Sequence, residues 1–260
     1  MFEAKFSNAG LFKKIIEAIK DLVSDAPFDC SESSLCLQAM DGSHVALVSL
    51  KLEIGIFDVY RCDRTISLGL NSGELNKVLK CAKADDTLMI QFQDGEKDTV
   101  TFTLEDNKGR KQDITLKLLD LDNEHLGIPD QKYSAVIEMP SAEFKKVCSD
   151  IATFSDTMTI IATKSNIVFK GSGDAFTIFL DSLLILYFKR VDFNVKEKVT
   201  LNFSIKYLIN FTKASSLSPR VRLSMSDAVP IVIEYEIEGN GFLRFYLAPK
   251  IEEDKNGMDE

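Results

Sequence analysis

The side chains with the widest chemical repertoire in this chain are two histidines, His44 and His125, and five cysteines, Cys30, Cys36, Cys62, Cys81 and Cys148. Neither histidine has a cysteine or a carboxylate pair at ligand spacing, and the odd cysteine set contains no Cys-x-x-Cys pair. This argues against a metal centre and against a disulfide framework, and reads the thiols as reduced and mostly buried. Gly171-Ser172-Gly173-Asp174-Ala175-Phe176 imitates the opening of a dinucleotide loop, but it lacks the third glycine and runs into a strand-like segment rather than a helix. It is read as a turn. No GxxxxGK[ST] loop offers backbone amides to a phosphate, and no GxSxG elbow presents a nucleophile. Ser43 and His44 would need further geometry to act as a hydrolase. The expectation is no catalytic residue, no metal and no cofactor.

Lysine is the more informative residue. On a helical wheel Phe12, Ile15, Ile16, Ile19, Leu22 and Val23 fill one side, while Lys13, Glu17 and Lys20 lie opposite with Lys14 at the flank. In 75–83 the apolar positions are Leu75, Val78, Leu79 and Ala82, with Lys77 and Lys80 pointing away and no acid in the segment. With 143–153 and 205–216, the four helical segments carry ten lysines against four acids, in a chain of net charge -9. On one helix this is ordinary solvation. If the four share one side of a sheet, their outward stripes merge into a basic surface suited to a polyanion. The chain has no Trp, and these faces carry no clustered aromatics, which disfavours base stacking on single strands and favours backbone contact with a duplex.

The elements that must carry those faces are written twice. Phe12-Lys13-Lys14-Ile15 recurs as Phe144-Lys145-Lys146-Val147, each after a short strand, Phe2–Phe6 and then Ala135–Met139. The offset persists: Leu35-Cys36-Leu37 parallels Ile167-Val168-Phe169, and Leu75–Lys83 parallels Leu208–Ser216. Period-two segments outnumber helical ones, so the class is α+β with antiparallel sheets and two helices per half on one sheet face. The boundaries are read as 1–117, a connector 118–134, a second domain 135–251 and a mobile acidic tail 252–260. The connector mixes Asp120, Asp122, Glu124 and Asp130 with Leu119, Leu121, Leu126, Ile128 and Pro129, and a loop that long in a compact protein is usually functional or disordered. Phe176–Phe188 is broken by Asp181, so no membrane span is expected, and Met1-Phe2-Glu3-Ala4-Lys5-Phe6 does not read as a secretory signal. An intracellular setting follows.

Several stretches resemble the eukaryotic DNA sliding-clamp family, that of proliferating cell nuclear antigen, over nearly the whole chain. They include Leu37-Gln38-Ala39-Met40-Asp41, Ser43-His44-Val45, Tyr60-Arg61-Cys62-Asp63-Arg64, Leu79-Lys80-Cys81-Ala82, Leu126-Gly127-Ile128-Pro129 and Tyr246-Leu247-Ala248-Pro249-Lys250-Ile251. The resemblance implies the clamp fold and a nuclear homotrimer ringing double-stranded DNA without reading its sequence. The ring would confer processivity on a replicative DNA polymerase. Flap endonuclease, DNA ligase and a clamp loader would dock on it through short peptide motifs. Carried over by residue, the DNA-facing set is Lys13, Lys14, Lys20, Lys77, Lys80, Arg110, Lys146 and Lys213, with Arg61 and Arg64 serving either DNA or structure. The partner-peptide pocket is Met40, His44, Val45, Leu47, Leu126, Ile128, Pro129, Tyr133, Pro230, Tyr246, Ala248, Pro249 and Ile251.

The subunit interface implied by the resemblance takes Ile114, Leu116 and Leu118 of one chain against Phe176, Ile178 and Leu180 of the next, although both segments could be ordinary edge strands. Lys164 matches the family's ubiquitin and SUMO acceptor and has no chemical signature of its own. Departures are Ser149 where relatives carry a base, Ile114 where they carry an aromatic, and the apolar run Leu183–Phe188 in a region that is acidic in many relatives. That run either folds on its own domain or faces a partner. The alternatives are a subunit of a checkpoint-type heterotrimeric clamp and an unrelated ligand-binding or catalytic α+β protein.

Overall fold

The computed structural model describes residues 1–95, 98–121, 126–128, 131–173, 177–181 and 191–250, with the backbone alone for Asp181. The first half runs β1 (Phe2–Phe6), α1 (Ala9–Ile19), β2 (Asp25–Cys30), β3 (Ser34–Met40), β4 (Ala46–Glu53), β5 (Val59–Cys62), β6 (Ile66–Asn71), α2 (Ser72–Lys80), β7 (Thr87–Phe92), β8 (Thr99–Glu105) and β9 (Lys111–Lys117). The second half runs β10 (Ala135–Pro140), α3 (Ser141–Ala152), β11 (Thr157–Ala162), β12 (Ile167–Ser172), β13 (Thr177–Asp181), β14 (Asp192–Val195) and β15 (Val199–Ser204). It continues through α4 (Ile205–Phe211), a 3-10 turn Thr212–Ser216, β16 (Arg220–Met225), β17 (Ile231–Ile237) and β18 (Gly241–Leu247). Among the described residues, both halves have the same order of elements, as the internal repeat requires.

The α+β class is borne out, and among the described residues every strand pairing is antiparallel. A five-stranded sheet is ordered β5-β1-β7-β8-β9, and a four-stranded sheet is ordered β13-β12-β11-β15. The third sheet has nine strands, β14-β10-β16-β17-β18-β4-β3-β2-β6. It is the five-stranded sheet of the second half fused to the four-stranded sheet of the first. The seam is the pair β18 and β4, in register from Phe242 opposite Lys51 to Leu247 opposite Ala46. The counterparts of β18 and β4 in the other two sheets are β9 and β13, and both lie at sheet ends.

Alternation sets which side of each strand meets the core. In β1, Phe2, Ala4 and Phe6 are buried and Glu3 and Lys5 half-buried, while β8 buries Val100, Phe102 and Leu104. Helix α1 lays Phe12, Ile15, Ile16 and Ile19 into the core, and Asn8 caps it by accepting from Gly10 N at 2.8 Å. The helix ends at Ile19, although the apolar stripe runs on to Val23, and Leu22 and Val23 stay buried in the turn beyond it. Helix α2 starts earlier than expected. Its cap, Asn71, accepts from Glu74 N at 3.1 Å, which brings Glu74 into a helix first read as free of acids. Helix α1 packs on α2, α3 on α4, and the 3-10 turn of the second half on α1 of the first. No described helix is long and apolar enough to cross a membrane.

Candidate functional site

The four described helices and the turns that end them point lysines outward: Lys14, Lys77, Lys80, Lys146 and, in the 3-10 turn, Lys213 are exposed, while Lys13 and Lys20, which caps α1, are half-buried. Several are already engaged. Lys13 Nζ donates to Ala82 O at 3.1 Å and Lys14 Nζ to Ser216 O at 3.4 Å, so α1 is tied to the end of α2 and to the second half. Lys77 pairs with Glu74 at 2.6 Å, and Lys20 and Lys213 share the carboxylate of Asp21. Ser149 is exposed on α3 and adds no charge to this face. A surface of flexible ammonium groups can neutralise phosphates but offers no fixed donor pattern with which to read bases.

The second site is a cavity of about 340 Å³ lined by Met40, His44, Val45, Ala46, Leu47, Leu126, Gly127, Ile128, Gln131, Tyr133, Pro230, Tyr246 and Ala248. Its floor is the seam, because Ala46 and Leu47 of β4 face Leu247 and Tyr246 of β18. The rim at Val45, Leu126 and Ile128 is 38, 46 and 38 % exposed, a high value for large aliphatic side chains. Gln38 secures the connector side: its Oε1 accepts from Leu126 N at 2.7 Å and its Nε2 donates to Leu126 O at 3.1 Å. One side-chain amide thereby acts as a strand partner for Leu126.

The turn carrying His44 is built around Asp41. Its buried carboxylate accepts from Ser43 N at 3.0 Å, Val45 N at 2.8 Å, Ala46 N at 2.7 Å and, across the halves, Tyr207 OH at 2.7 Å. Burial opposes ionisation of Asp41, but the bonds from Ala46, Tyr207, Ser43 and Val45 outweigh it and hold the carboxyl below its ordinary value. His44 sits exposed at φ 56°, a left-handed conformation this turn imposes. With four donors on Asp41, the carboxylate next to Ser43-His44 in sequence is committed to backbone and Tyr207. Among the described residues no cluster of His, Cys, Asp and Glu could hold a metal ion.

A polar cavity of about 320 Å³ adjoins the apolar one and shares Ile128, Gln131, Tyr133 and Tyr246 with it. Its far wall is the buried Glu234, held by Arg222 at 2.9 Å and by Arg244. Arg222 also reaches Glu138 at 2.7 Å, and Arg244 lies over the Phe242 ring. Burial pushes the phenols of Tyr133 and Tyr246 up, so both remain protonated donors at neutral pH.

Other expected site residues are dispersed. Arg61, on the outward face of β5 opposite Glu3, pairs with Asp63 at 2.7 Å, and Arg64 pairs with Asp94 at 2.7 Å. Neither lies on a helix, and both are held by acids at the edge of the five-stranded sheet. Arg110 is exposed at the β8–β9 turn, its N–H donating to Asp106 at 2.9 Å. Lys164 is exposed in the β11–β12 turn, which Thr163 N closes onto Asn166 O at 2.9 Å. Ile114 and Leu116 on β9, Leu118 just after it, and Ile178 and Leu180 on β13 are half-buried against their own core. Phe179, absent from the sequence reading, is 62 % exposed on β13 with Lys170 Nζ 5.3 Å from its ring centroid. Pro249 is half-buried beside the apolar cavity without lining it. Pro129, Ile251, Phe176, His125, the run 183–188 and the tail 252–260 lie outside the described residues. Ala46, Gly127, Gln131 and the Gln38 clamp were missed by the sequence reading. Gln38 and Gly127 are visible there only as members of the stretches Leu37-Gln38-Ala39-Met40-Asp41 and Leu126-Gly127-Ile128-Pro129.

Family models for proliferating cell nuclear antigen match the chain twice, the N-terminal domain over residues 1–125 and the C-terminal domain over residues 127–250. The proliferating cell nuclear antigen of Caenorhabditis elegans is 57 % identical over 266 residues, covering 98 % of this chain and 99 % of that protein. The protein of the same name from Dictyostelium discoideum is 49 % identical over 263 residues, covering 97 % of this chain and all 100 % of its own length.

Proposed function

Because the chain belongs to the proliferating cell nuclear antigen family, the eukaryotic DNA sliding clamps, we propose that three copies close into a ring that encircles duplex DNA and carries partner proteins along it. The observation behind this reading is the seam inside the nine-stranded sheet. One chain joins its own halves by pairing β18 with β4, while their counterparts β9 and β13 end the other two sheets. Repeating that seam between copies joins β9 of one to β13 of the next, with Ile114 and Leu116 facing Ile178 and Leu180. Such a contact is head-to-tail, and a head-to-tail contact ends only when a ring closes. Left unpaired, the edges of β9 and β13 would otherwise invite open-ended association.

With the helices inward, Lys13, Lys14, Lys20, Lys77, Lys80, Lys146 and Lys213 face the hole, and Arg110 supplements them. Phosphate contact without base contact permits sliding. The apolar cavity takes two aromatic anchors of a partner peptide. Burying about 300–500 Å² at about 25 cal/mol/Å² yields roughly 8–12 kcal/mol before association costs of roughly 4–15 kcal/mol. Net binding is modest, which suits a nuclear platform where a replicative DNA polymerase, flap endonuclease, DNA ligase and clamp loader exchange through short motifs. The chain contributes no catalysis and needs no cofactor, and Lys164 serves as an attachment point for ubiquitin-like modifiers. Similarity of this extent over both halves does not favour the checkpoint-type heterotrimer.

Light scattering is expected to give a mass of three chains, and rings loaded on closed circular DNA are expected to stay bound while rings on linear DNA run off its ends. A persistent monomer that retains circular and linear DNA alike would overturn the reading.

A further inference from the structure

We infer that Asp21 is a built-in competitor of the DNA backbone, holding Lys20 and Lys213 in the free ring so that only part of their charge is spent on phosphate. The inference rests on the ring reading, because it needs the helix face to line the hole. Its basis is one carboxylate bridging two lysines from opposite halves: Lys20 Nζ lies 2.9 Å from Oδ1 and Lys213 Nζ 2.7 Å from Oδ2. Lys213 is held from its other side as well, donating to Asn210 Oδ1 at 2.6 Å. The pairing lowers the Asp21 carboxyl below its ordinary value, through Lys213 first and Lys20 second, so the acid is fully ionised at neutral pH.

Glu17 makes the contrast. It stands one turn earlier on the same outward stripe as Lys13 and Lys20, is exposed, and has no ion pair among the described residues. Both acids subtract one charge from the face, but only Asp21 occupies ammonium groups that phosphate would otherwise take. A lysine that exchanges a carboxylate for a phosphate releases little net counterion, whereas a free lysine releases its full share. Asp21 therefore keeps the grip on DNA loose and less dependent on salt, as a ring that must slide requires.

The test compares the full-length trimer, Asp21→Asn and Glu17→Gln on a short linear duplex open at both ends, with affinity followed by fluorescence anisotropy across a salt series. Asp21→Asn is expected to steepen the log–log salt slope by about one unit, so that its gain in affinity shrinks about fourfold between 50 and 200 mM salt. Glu17→Gln is expected to leave the slope near the unsubstituted value, and adding Lys213→Met to Asp21→Asn to return the slope toward it. Equal slopes for the two acid variants would overturn the inference, as would Asp21→Asn losing the trimer with no change in slope, since the carboxylate would then be a structural tie. Absence of salt-dependent binding by the unsubstituted ring would instead count against the ring reading.

Discussion

Replacing Gln38 by Ala removes the only described tie between β3 and the connector at Leu126, two hydrogen bonds of 2.7 and 3.1 Å. Each is worth about 0.5–1.5 kcal/mol net, and both face solvent, so a combined loss of about 1–2 kcal/mol is expected. That raises the open fraction of the connector about 5- to 30-fold. Hydrogen exchange at the Leu126 amide should accelerate by that factor, because opening exposes the N–H now bonded to Oε1. Peptide binding should weaken as well, through the reduced fraction of chains with Leu126 and Ile128 held over the cavity, and by no more than the same factor. Calorimetry with a peptide carrying two aromatic anchors would measure this, with trimer mass as a control for folding. Unchanged exchange at Leu126 together with unchanged affinity would refute the reasoning, because the connector would then be positioned by something other than Gln38.

Asp41→Asn should cost about 1–3 kcal/mol at neutral pH, since an ionised acceptor of three backbone N–H groups and a phenol becomes neutral. The folded carboxyl titrates below its unfolded value of about 3.9, so its contribution is present above pH 4 and lost as pH falls through the folded value. The stability gap between the two proteins in urea should therefore narrow toward pH 3, and a gap constant with pH would contradict the assignment. At Gly69 an added Cβ would lie 2.2 Å from Leu119 O, where the connector leaves the first half. Gly69→Ala should destabilise by about 1–3 kcal/mol and speed exchange at the Leu119 amide, now bonded to Gly69 O at 2.8 Å. Gly42→Ala, with nothing within 4 Å, should be silent, and equal melting of the two variants would remove the close-approach argument.

Local signals and the repeat sufficed for the class of fold. Phe12-Lys13-Lys14-Ile15 and Phe144-Lys145-Lys146-Val147 announce two copies of one unit, and alternation such as that of Val100, Phe102 and Leu104 marks strands because the side-chain period of a strand is fixed by backbone geometry. The lysine stripes were legible for the same reason on helices. Helix ends were less so: Leu22 and Val23 continue the apolar pattern past Ile19 because a turn can bury side chains as a helix does. Ten of the thirteen expected pocket residues line one cavity, although they come from 40–47, 126–133 and 230–248. Their convergence was carried by family resemblance, since no local rule links segments so far apart.

Tertiary structure alone decided who pairs with whom. Pairing of β18 with β4 depends on which edges meet after both halves fold, and sheet edges look alike in sequence. The same holds for charge. Arg61 and Arg64 stay open between DNA and structure until Asp63 and Asp94 are seen against them, and Lys213 reads as free until Asp21 arrives from 192 residues away. Sequence determines which charges a face can carry, because periodicity fixes side-chain direction. Only the folded chain decides which of them remain to be spent, because an ion pair is made by distance in space.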